Sequence, residues 1–248
     1  MIGHRASTKS LTEAAYLALR ADILACRLAP GEKIKINDIC ASRGVSLGAI
    51  REALSRLTAE GLVVAEAQRG FNVAPVSQDD LIDLTSTRIE LELVCLKRAI
   101  EQGDVEWETA IVAAYHRLSR TPERVEGDPM AVSEDWAAAH KAFHAALVAA
   151  CGSPWRLRLR AILYDQSERY RRLSVPAVPH ERDLDTEHRG LMEAALARDV
   201  AGLAARMRDH LTTTTDRVLP LAMPVAPAKV PRGQAQRARP DIDEPIAS

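Results

Sequence analysis

Aromatic residues are scarce in this chain: two Phe, three Trp and four Tyr, 4% of 248 residues. That scarcity, together with abundant Ala, Leu and Arg, favours helices over strands. No apolar run approaches the roughly 18–20 residues that a membrane span needs. No basic start leads into an apolar stretch of the kind that directs secretion. The four cysteines, Cys26, Cys40, Cys95 and Cys151, are widely scattered and form no CxxC pair. Neither a zinc ribbon nor a disulfide framework is therefore indicated. A reducing, bacterial-type cytoplasm is the simplest home, with no membrane partner. Neither a nucleophile triad pattern nor a phosphate-binding glycine loop occurs. Strong net charge is missing too, at −1 overall, but residues 1–75 hold ten Lys/Arg against seven Asp/Glu, a surplus of +3 that leaves −4 for the rest. A basic surplus at one end suits phosphate attraction. The length allows one large or two modest domains, and 47% apolar content is ample for a core.

What is present is a helical pattern with sharp punctuation over residues 36–73. Ile36 and Ile39 fit the buried face of a short helix, followed by Ala41. Gly44 marks a turn, and Val45 packs inward. Ser46 suits the N-cap of the next helix, because its hydroxyl oxygen can accept from free backbone N–H groups. Ile50, Leu54 and Leu57 recur at three- and four-residue spacing and make one apolar face. Gly61 suits the C-cap. The opposite face carries Leu47, Gly48, Arg51, Glu52 and Ser55. Leu62-Val63-Val64 and Phe71-Asn72-Val73 read as short strands, with Arg69-Gly70 at the tip between them. Two helices, a tight turn and a two-stranded wing can lay the second helix in the DNA major groove. The glycine at the tip allows close approach to the phosphate backbone or minor groove, and the arginine supplies charge. The same periodicity also suits a plain helical hairpin, so spacing alone leaves DNA binding open.

The wording of this stretch goes further. Leu28-Ala29-Pro30-Gly31-Glu32, Val45-Ser46, Ile50-Arg51-Glu52-Ala53-Leu54, Leu57, Glu60-Gly61-Leu62-Val63 and Arg69-Gly70-Phe71-Asn72-Val73 form an ordered set over about sixty residues. The set resembles the DNA-binding domain of the GntR family of bacterial regulators. The resemblance implies Arg51 as a DNA-contacting arginine, with Arg43, Ser46 and Arg69 as backbone-positioning contacts. One departure matters. Most members carry Arg-Thr just after the serine that opens the recognition helix, where this chain has Leu47 and Gly48. Leucine offers only apolar contact, for example to a thymine methyl, so an altered operator preference is expected. Arg56 reads either as a further contact or as a solvated helix charge.

Around this stretch, residues 1–10 read as frayed and 11–28 as an amphipathic helix packed on the helix-turn-helix. The linker falls at 75–79. Apolar spacing then predicts helices over about 80–101, 105–120, 129–151, 153–174, 181–197 and 199–218, with no strand pattern. Turn residues occupy 121–128 and 175–180. The expected fold class is mainly α: an N-terminal winged helix-turn-helix over 1–75 and a C-terminal all-α antiparallel helical bundle with a central cavity over 80–219. Residues 220–248 hold six of the thirteen prolines and no apolar periodicity, and read as a disordered tail.

Four histidines carry the chemical clue in the second half. His140 and His144 lie four apart, on one face of one helix. His188 opens another helix, and His210 lies near the end of the last. Three helices can thus direct four imidazoles into one cavity, and imidazole is a common ligand of Zn²⁺, Ni²⁺ and related ions. Spacing alone equally suits surface or core histidines in ordinary hydrogen bonds. A metalloprotease HExxH pattern fails, because Lys141 follows His140 and no glutamate lies between the two histidines. A metal-dependent hydrolase or isomerase fused to a nucleic-acid module is the alternative class. It needs a general acid or base near the histidines, where Glu187, Asp185 and Asp209 lie; the two aspartates read as helix-end or surface charges.

Residues 80–219 resemble the FCD ligand-binding domain of the FadR subgroup within the GntR family. The matching words are Thr87-Arg88-Ile89-Glu90-Leu91-Glu92, Phe143-His144, Cys151-Gly152-Ser153-Pro154, Arg169-Tyr170-Arg171-Arg172-Leu173, Glu187-His188 and His210. Many members bind a divalent metal through one aspartate and three histidines. His144, His188 and His210 fall on the histidines, and His140 stands where the aspartate is expected. Four neutral imidazoles leave the full 2+ charge of a bound ion, which attracts an anionic effector more strongly than an aspartate-bearing site would. The resemblance further implies a small carboxylate effector, a homodimer and a palindromic double-stranded operator. Detailed wording is similar to carbon-starvation and glutarate-catabolism repressors, which suggests a dicarboxylate. Arg88 is the leading candidate for the carboxylate, since a guanidinium binds it through two parallel bonds; its alternative is a helical pair with Glu92. Tyr164, Gln166, Arg169 and Tyr170 are further effector candidates on one helix. Arg169 alternatively pairs with Asp165, and Arg171 and Arg172 read as solvated.

Overall fold

Side-chain caps set most of the helix starts in the computed structural model, which describes residues 8–174 and 182–221. The expected frayed start (apart from 8–10), the 175–180 turn and the 220–248 tail (apart from Pro220 and Leu221) lie outside the described residues. The winged part runs α1 (Thr8–Leu24), α2 (Ile36–Arg43), α3 (Leu47–Ala59), β1 (Val63–Glu66) and β2 (Gly70–Val73). Ser46 caps α3 by accepting from Ala49 N at 3.3 Å. Gly44 closes α2 in the left-handed region at φ 62°, where a side chain is costly. Ile50, Leu54 and Leu57 are fully buried on α3 and pack with Leu19 and Ile23 of α1. Each such side chain contributes about 1.5–3 kcal/mol through burial. The wing is an antiparallel pair in which Val63 faces Val73 and Glu66 faces Gly70. Two details of the expected pattern shift. Ala41 is exposed, because α2 turns only Ile36, Ile39 and Cys40 toward the core. The strands are offset, so Gly70 opens β2 rather than sitting at the tip.

The helical part runs α4 (Gln78–Gln102), α5 (Val105–Arg120), a short hairpin β3 (Arg124–Val125) and β4 (Asp128–Val132), then α6 (Glu134–Val148), α7 (Pro154–Ser174), α8 (Leu184–Leu196) and α9 (Val200–Val218). Short 3-10 turns follow α6 and α9. The hairpin corrects the expectation of an uninterrupted helical half. Gly127 at φ 81° reverses the chain there, and Ser133, accepting from Trp136 N, starts α6 five residues later than spacing suggests. Helix α4 starts inside the expected linker, because Ser77 accepts from Asp80 N at 3.1 Å. Asp183 likewise starts α8 later than 181.

The larger core joins Leu96, Ile111, Phe143, Leu147, Leu191 and Leu203 from α4, α5, α6, α8 and α9. A smaller cluster of Val76, Leu81, Leu84, Tyr170 and Val218 fills the region beside the chain crossing from β2 to α4. No helix among the described residues is long and apolar enough to cross a membrane.

Candidate metal centre and nucleic-acid interface

Helices α6, α8 and α9 converge inside the bundle, and each brings histidine to the same point. One nitrogen from each of His140, His144, His188 and His210 lies within 4.8 Å of the other three, and all four residues are buried. The i, i+4 spacing of His140 and His144 stacks them on the inner face of α6, with their Nε2 atoms 3.2 Å apart. Burial, then the neighbouring imidazoles, holds both well below the ordinary histidine range. Burial pushes His188 down to about 3. It lowers His210 as well, although Glu187 opposes the shift. All four rings are therefore neutral near pH 7, each with a nitrogen lone pair to offer.

Outer partners orient two of the rings. Tyr164 Oη lies 2.8 Å from His140 Nδ1. The Glu187 carboxylate lies 2.8 Å from His210 Nδ1. Burial works against Glu187 ionising, but the bonds from His210 and Arg182 pull it down to about 2. Trp136 stacks on His140 at 4.7 Å between ring centres. His144 Nδ1 and His188 Nε2 are buried without a hydrogen-bond partner among the described residues. Neutral, crowded nitrogen donors with unpartnered atoms are what a borderline divalent cation needs, so the residues fit one.

A cavity of about 120 Å³ opens beside the cluster, bordered by His140 and His210 but not by His144 or His188. Its lining includes five arginines (Arg88, Arg124, Arg171, Arg182 and Arg217) against two glutamates (Glu123 and Glu168), a balance that favours an anion. Arg88 is buried, 3.8 Å from Glu92 and 4.9 Å above the Tyr164 ring. Its Nε has no hydrogen-bond partner among the described residues. Glu92, wholly buried, is held more firmly by Arg160 Nε at 2.7 Å, which leaves Arg88 the weaker partner. Tyr164 and Tyr170 both border the cavity, though the Tyr170 hydroxyl is engaged with Asp80 and with Ser77 N.

Gln166 and Arg169, expected at the effector cavity, lie outside its lining. They sit on the far side of α7: Gln166 Nε2 donates to Glu60 O at 2.9 Å, and Arg169 donates to Ala74 O. The helical turn rotates them away from Tyr164 and Arg171. Arg169 does not pair with Asp165, which is taken by Arg20 and Lys141. Arg171 and Arg172, expected in solvent, are mostly buried on Glu168. The seven-residue step from Tyr164 to Arg171 places both on one helical face, a signal that charge-based reading overlooked. Arg182 and Trp136 had no comparable signal. Asp185 pairs with Arg189 at 2.6 Å on the surface, as a helix-side charge.

On α3, the exposed face carries Leu47, Gly48, Arg51, Glu52 and Ser55. Arg51 has no ion-pair partner among the described residues. Leu47 is 48% exposed, and a side-chain carbon added at Gly48 would meet nothing within 4 Å. Arg69 is 76% exposed beside Gly70 and 3.9 Å from Glu66. Arg43 is engaged by Asp22, and Arg56 by Glu13 at 2.7 Å and by the Tyr16 ring. Ser46 accepts the cap bond already described.

The family description "Bacterial regulatory proteins, gntR family" matches residues 11–73, and "FCD domain" matches residues 83–213. The chain is 44% identical over 209 residues to the uncharacterized HTH-type transcriptional regulator BphR of Paraburkholderia xenovorans, covering 84% of this chain and 85% of that protein. It is 36% identical over 202 residues to the HTH-type transcriptional repressor GlaR of Escherichia coli, covering 80% and 91%. Among solved structures, E. coli McbR/YncC superposes with a TM-score of 0.72 at 19% identity, covering 89% of this chain and 99% of that one. A putative GntR regulator from Rhodococcus sp. RHA1 follows at 0.68 and 21% identity, covering 84% and 97%. These two likenesses speak for the fold alone. The metalloenzyme alternative falls here, because the family and the named relatives are transcriptional regulators. The chain belongs to the GntR family of bacterial regulatory proteins, as a DNA-binding transcriptional regulator whose winged helix-turn-helix is followed by an FCD domain.

Proposed function

We propose that this regulator is a cytoplasmic repressor released from its operator by a small carboxylate that binds beside a histidine-held divalent metal, zinc or nickel. In this reading residues 1–75 bind DNA, residues 80–219 hold metal and effector, and 220–248 are a tail. The observation that carries it is the convergence of four buried, neutral imidazoles on one point next to an arginine-rich cavity. His140, His144, His188 and His210 would hold the ion, which supplies a fixed positive charge and an open position for a carboxylate oxygen. Arg88 offers a second anchor, with its unpartnered Nε and its loose hold on Glu92. A dicarboxylate uses both ends: one at the metal, one at a guanidinium. Tyr164 ties the two together, since it touches His140 and lies under Arg88.

At the other end, Arg51 and Leu47 read base edges, while Arg69, Gly70, Arg43 and Ser46 position the phosphate backbone. A homodimer places two α3 helices on the half-sites of a palindrome about one DNA turn apart. Repression is carried over from GlaR, whose printed description is a repressor. The acid lowers operator affinity only if it binds more tightly to an arrangement in which the two winged domains no longer match the half-site spacing. The experiment is a DNA-binding titration of metal-loaded protein on a selected palindromic duplex, with and without a panel of small mono- and dicarboxylates. At least one acid must weaken binding in wild-type protein and lose that effect in Arg88→Ala. Identical operator affinity with every acid in the panel refutes the reading.

A further inference from the structure

Helix α7 has two faces with different neighbours. Tyr164, Ser167 and Arg171 border the cavity, while Asp165, Gln166 and Arg169 meet the winged domain. Asp165 accepts from Arg20 of α1 and also from Lys141 Nζ at 2.6 Å. Lys141 stands between His140 and His144 on α6. Arg20 donates from Nε to Glu60 at 2.8 Å, and Glu60, not the expected Gly61, is the C-terminal cap of the recognition helix, with Gly61 following it at φ 71°. The Tyr16 hydroxyl donates to the same carboxylate. One polar chain therefore runs Lys141, Asp165, Arg20, Glu60, from the histidine-bearing helix to the end of the helix that enters DNA. Its central carboxylate is only 8% exposed, so it is little screened by salt.

We propose that this four-residue chain is the connection by which the state of the histidine site reaches the recognition helix; the proposal rests on the metal-and-effector reading above. The physics is that of one carboxylate shared by two cations on separate elements. Asp165 has one negative charge, and its hold on Arg20 depends on how closely Lys141 approaches from the other side. A small shift of α6 against α7, as the histidines close on a cation, moves Lys141 relative to Asp165. Arg20 then redistributes between Asp165 and Glu60, and the docking of α3 changes. Gln166 and Arg169 donate to backbone carbonyls of the winged domain, and the Arg169 carbonyl accepts from Cys26 Sγ, so these two residues fasten the joint. Asp165 is a positioning residue in this scheme, touching neither metal nor DNA.

The test uses full-length protein stripped of metal, with Zn²⁺ alone as the probe and amide hydrogen exchange as the readout. In wild-type protein, zinc uptake is expected to change exchange over residues 47–59 by at least about threefold. Asp165→Asn is expected to bind zinc within about threefold of wild type and to lose the response at 47–59, and Asp165→Glu to restore it. An equal response in Asp165→Asn overturns the proposal, as does zinc uptake by wild type with no change at 47–59. If wild type takes up no zinc, the metal reading fails, and the chain is judged without metal. Lys141→Met, at a half-exposed site, must then raise exchange over 47–59 in the wild-type background but not beside Asp165→Asn. Independent, additive effects of those two substitutions overturn it.

Discussion

Glu187 holds His210 by its Nδ1, at 2.8 Å, and Arg182 in turn holds Glu187. An ionised carboxylate accepts the Nδ1 proton, which leaves the Nε2 lone pair of His210 for a cation. Second partners of this kind fix the tautomer and raise ligand basicity. Glu187→Gln is accordingly expected to weaken zinc or nickel binding by about 10–100-fold. His144→Ala, which removes a ligand outright, should abolish stoichiometric uptake. Metal titration followed by elemental analysis checks both. Full stoichiometric metal in His144→Ala would discard the four-histidine centre.

The recognition helix yields a second expectation. Arg51→Ala removes an exposed cation, without an ion-pair partner among the described residues, from the face of α3 proposed to meet DNA, and should weaken specific operator binding by about 1–3 kcal/mol, without changing metal affinity. Gly48→Ala meets no neighbour and should raise thermal stability, since alanine restricts the unfolded chain by about 0.4–1 kcal/mol relative to glycine. Fluorescence anisotropy on the operator duplex and a thermal melt separate the two effects. An Arg51→Ala protein with wild-type operator affinity means that α3 is turned differently on DNA.

The metal-free fold should be acid-sensitive in a definite direction. His188 is lowered to about 3 in the fold, and the other three rings also lie below the ordinary 6.5. Between those values the unfolded chain binds more protons than the folded one, so stability rises with pH. Starting from neutral pH, stability should therefore decline as pH drops below about 6.5. Glu187, lowered from 4.5 to about 2, adds to the decline only below about 4.5. Urea unfolding of metal-stripped protein at pH 8, 6.5 and 5 measures this, and His188→Gln should flatten the slope. A stability independent of pH over that range would show that the rings are not buried neutral.

Arg88 and Glu92 furnish a fourth test. Arg88→Ala removes a cation from the cavity while Glu92 keeps its Arg160 partner at 2.7 Å, so the fold should survive with intact metal binding. Carboxylate binding, measured by calorimetry on metal-loaded protein, should fall at least about tenfold. Glu92→Gln should act on the fold instead: it takes the buried carboxylate from Arg160, which keeps its bond to the His144 carbonyl, and is expected to cost about 3–5 kcal/mol of stability. Unchanged acid affinity in Arg88→Ala would move the effector elsewhere in the cavity.

Much of the winged part is legible in the sequence. Ser46, Gly44 and the Ile50, Leu54, Leu57 face are local signals, and local signals decide short helices and caps. The hairpin over 124–132 was not legible, because 121–128 reads as a plain turn and the helical spacing that follows from 129 runs through Ser133, the residue that in fact caps α6. Gln166 and Arg169 were misplaced for a related reason. Polar residues on one helix look alike in sequence, and only the packed neighbours tell which side faces a cavity and which faces another domain.

The amino-acid sequence by itself determined which elements form and which chemical groups they carry: a capped, arginine-bearing helix near the start, and histidines on three later helices. Periodicity and capping act over a few residues, so they can be read along the chain. The tertiary structure alone decided that His140, His144, His188 and His210 meet within 4.8 Å, that Arg171 and Arg182 border the cavity while Arg169 does not, and that Asp165 joins Lys141 to Arg20. Those pairings depend on how helices rotate and pack against one another. Burial then keeps the four imidazoles neutral, because a ring responds to the groups that close around it and not to its neighbours in sequence.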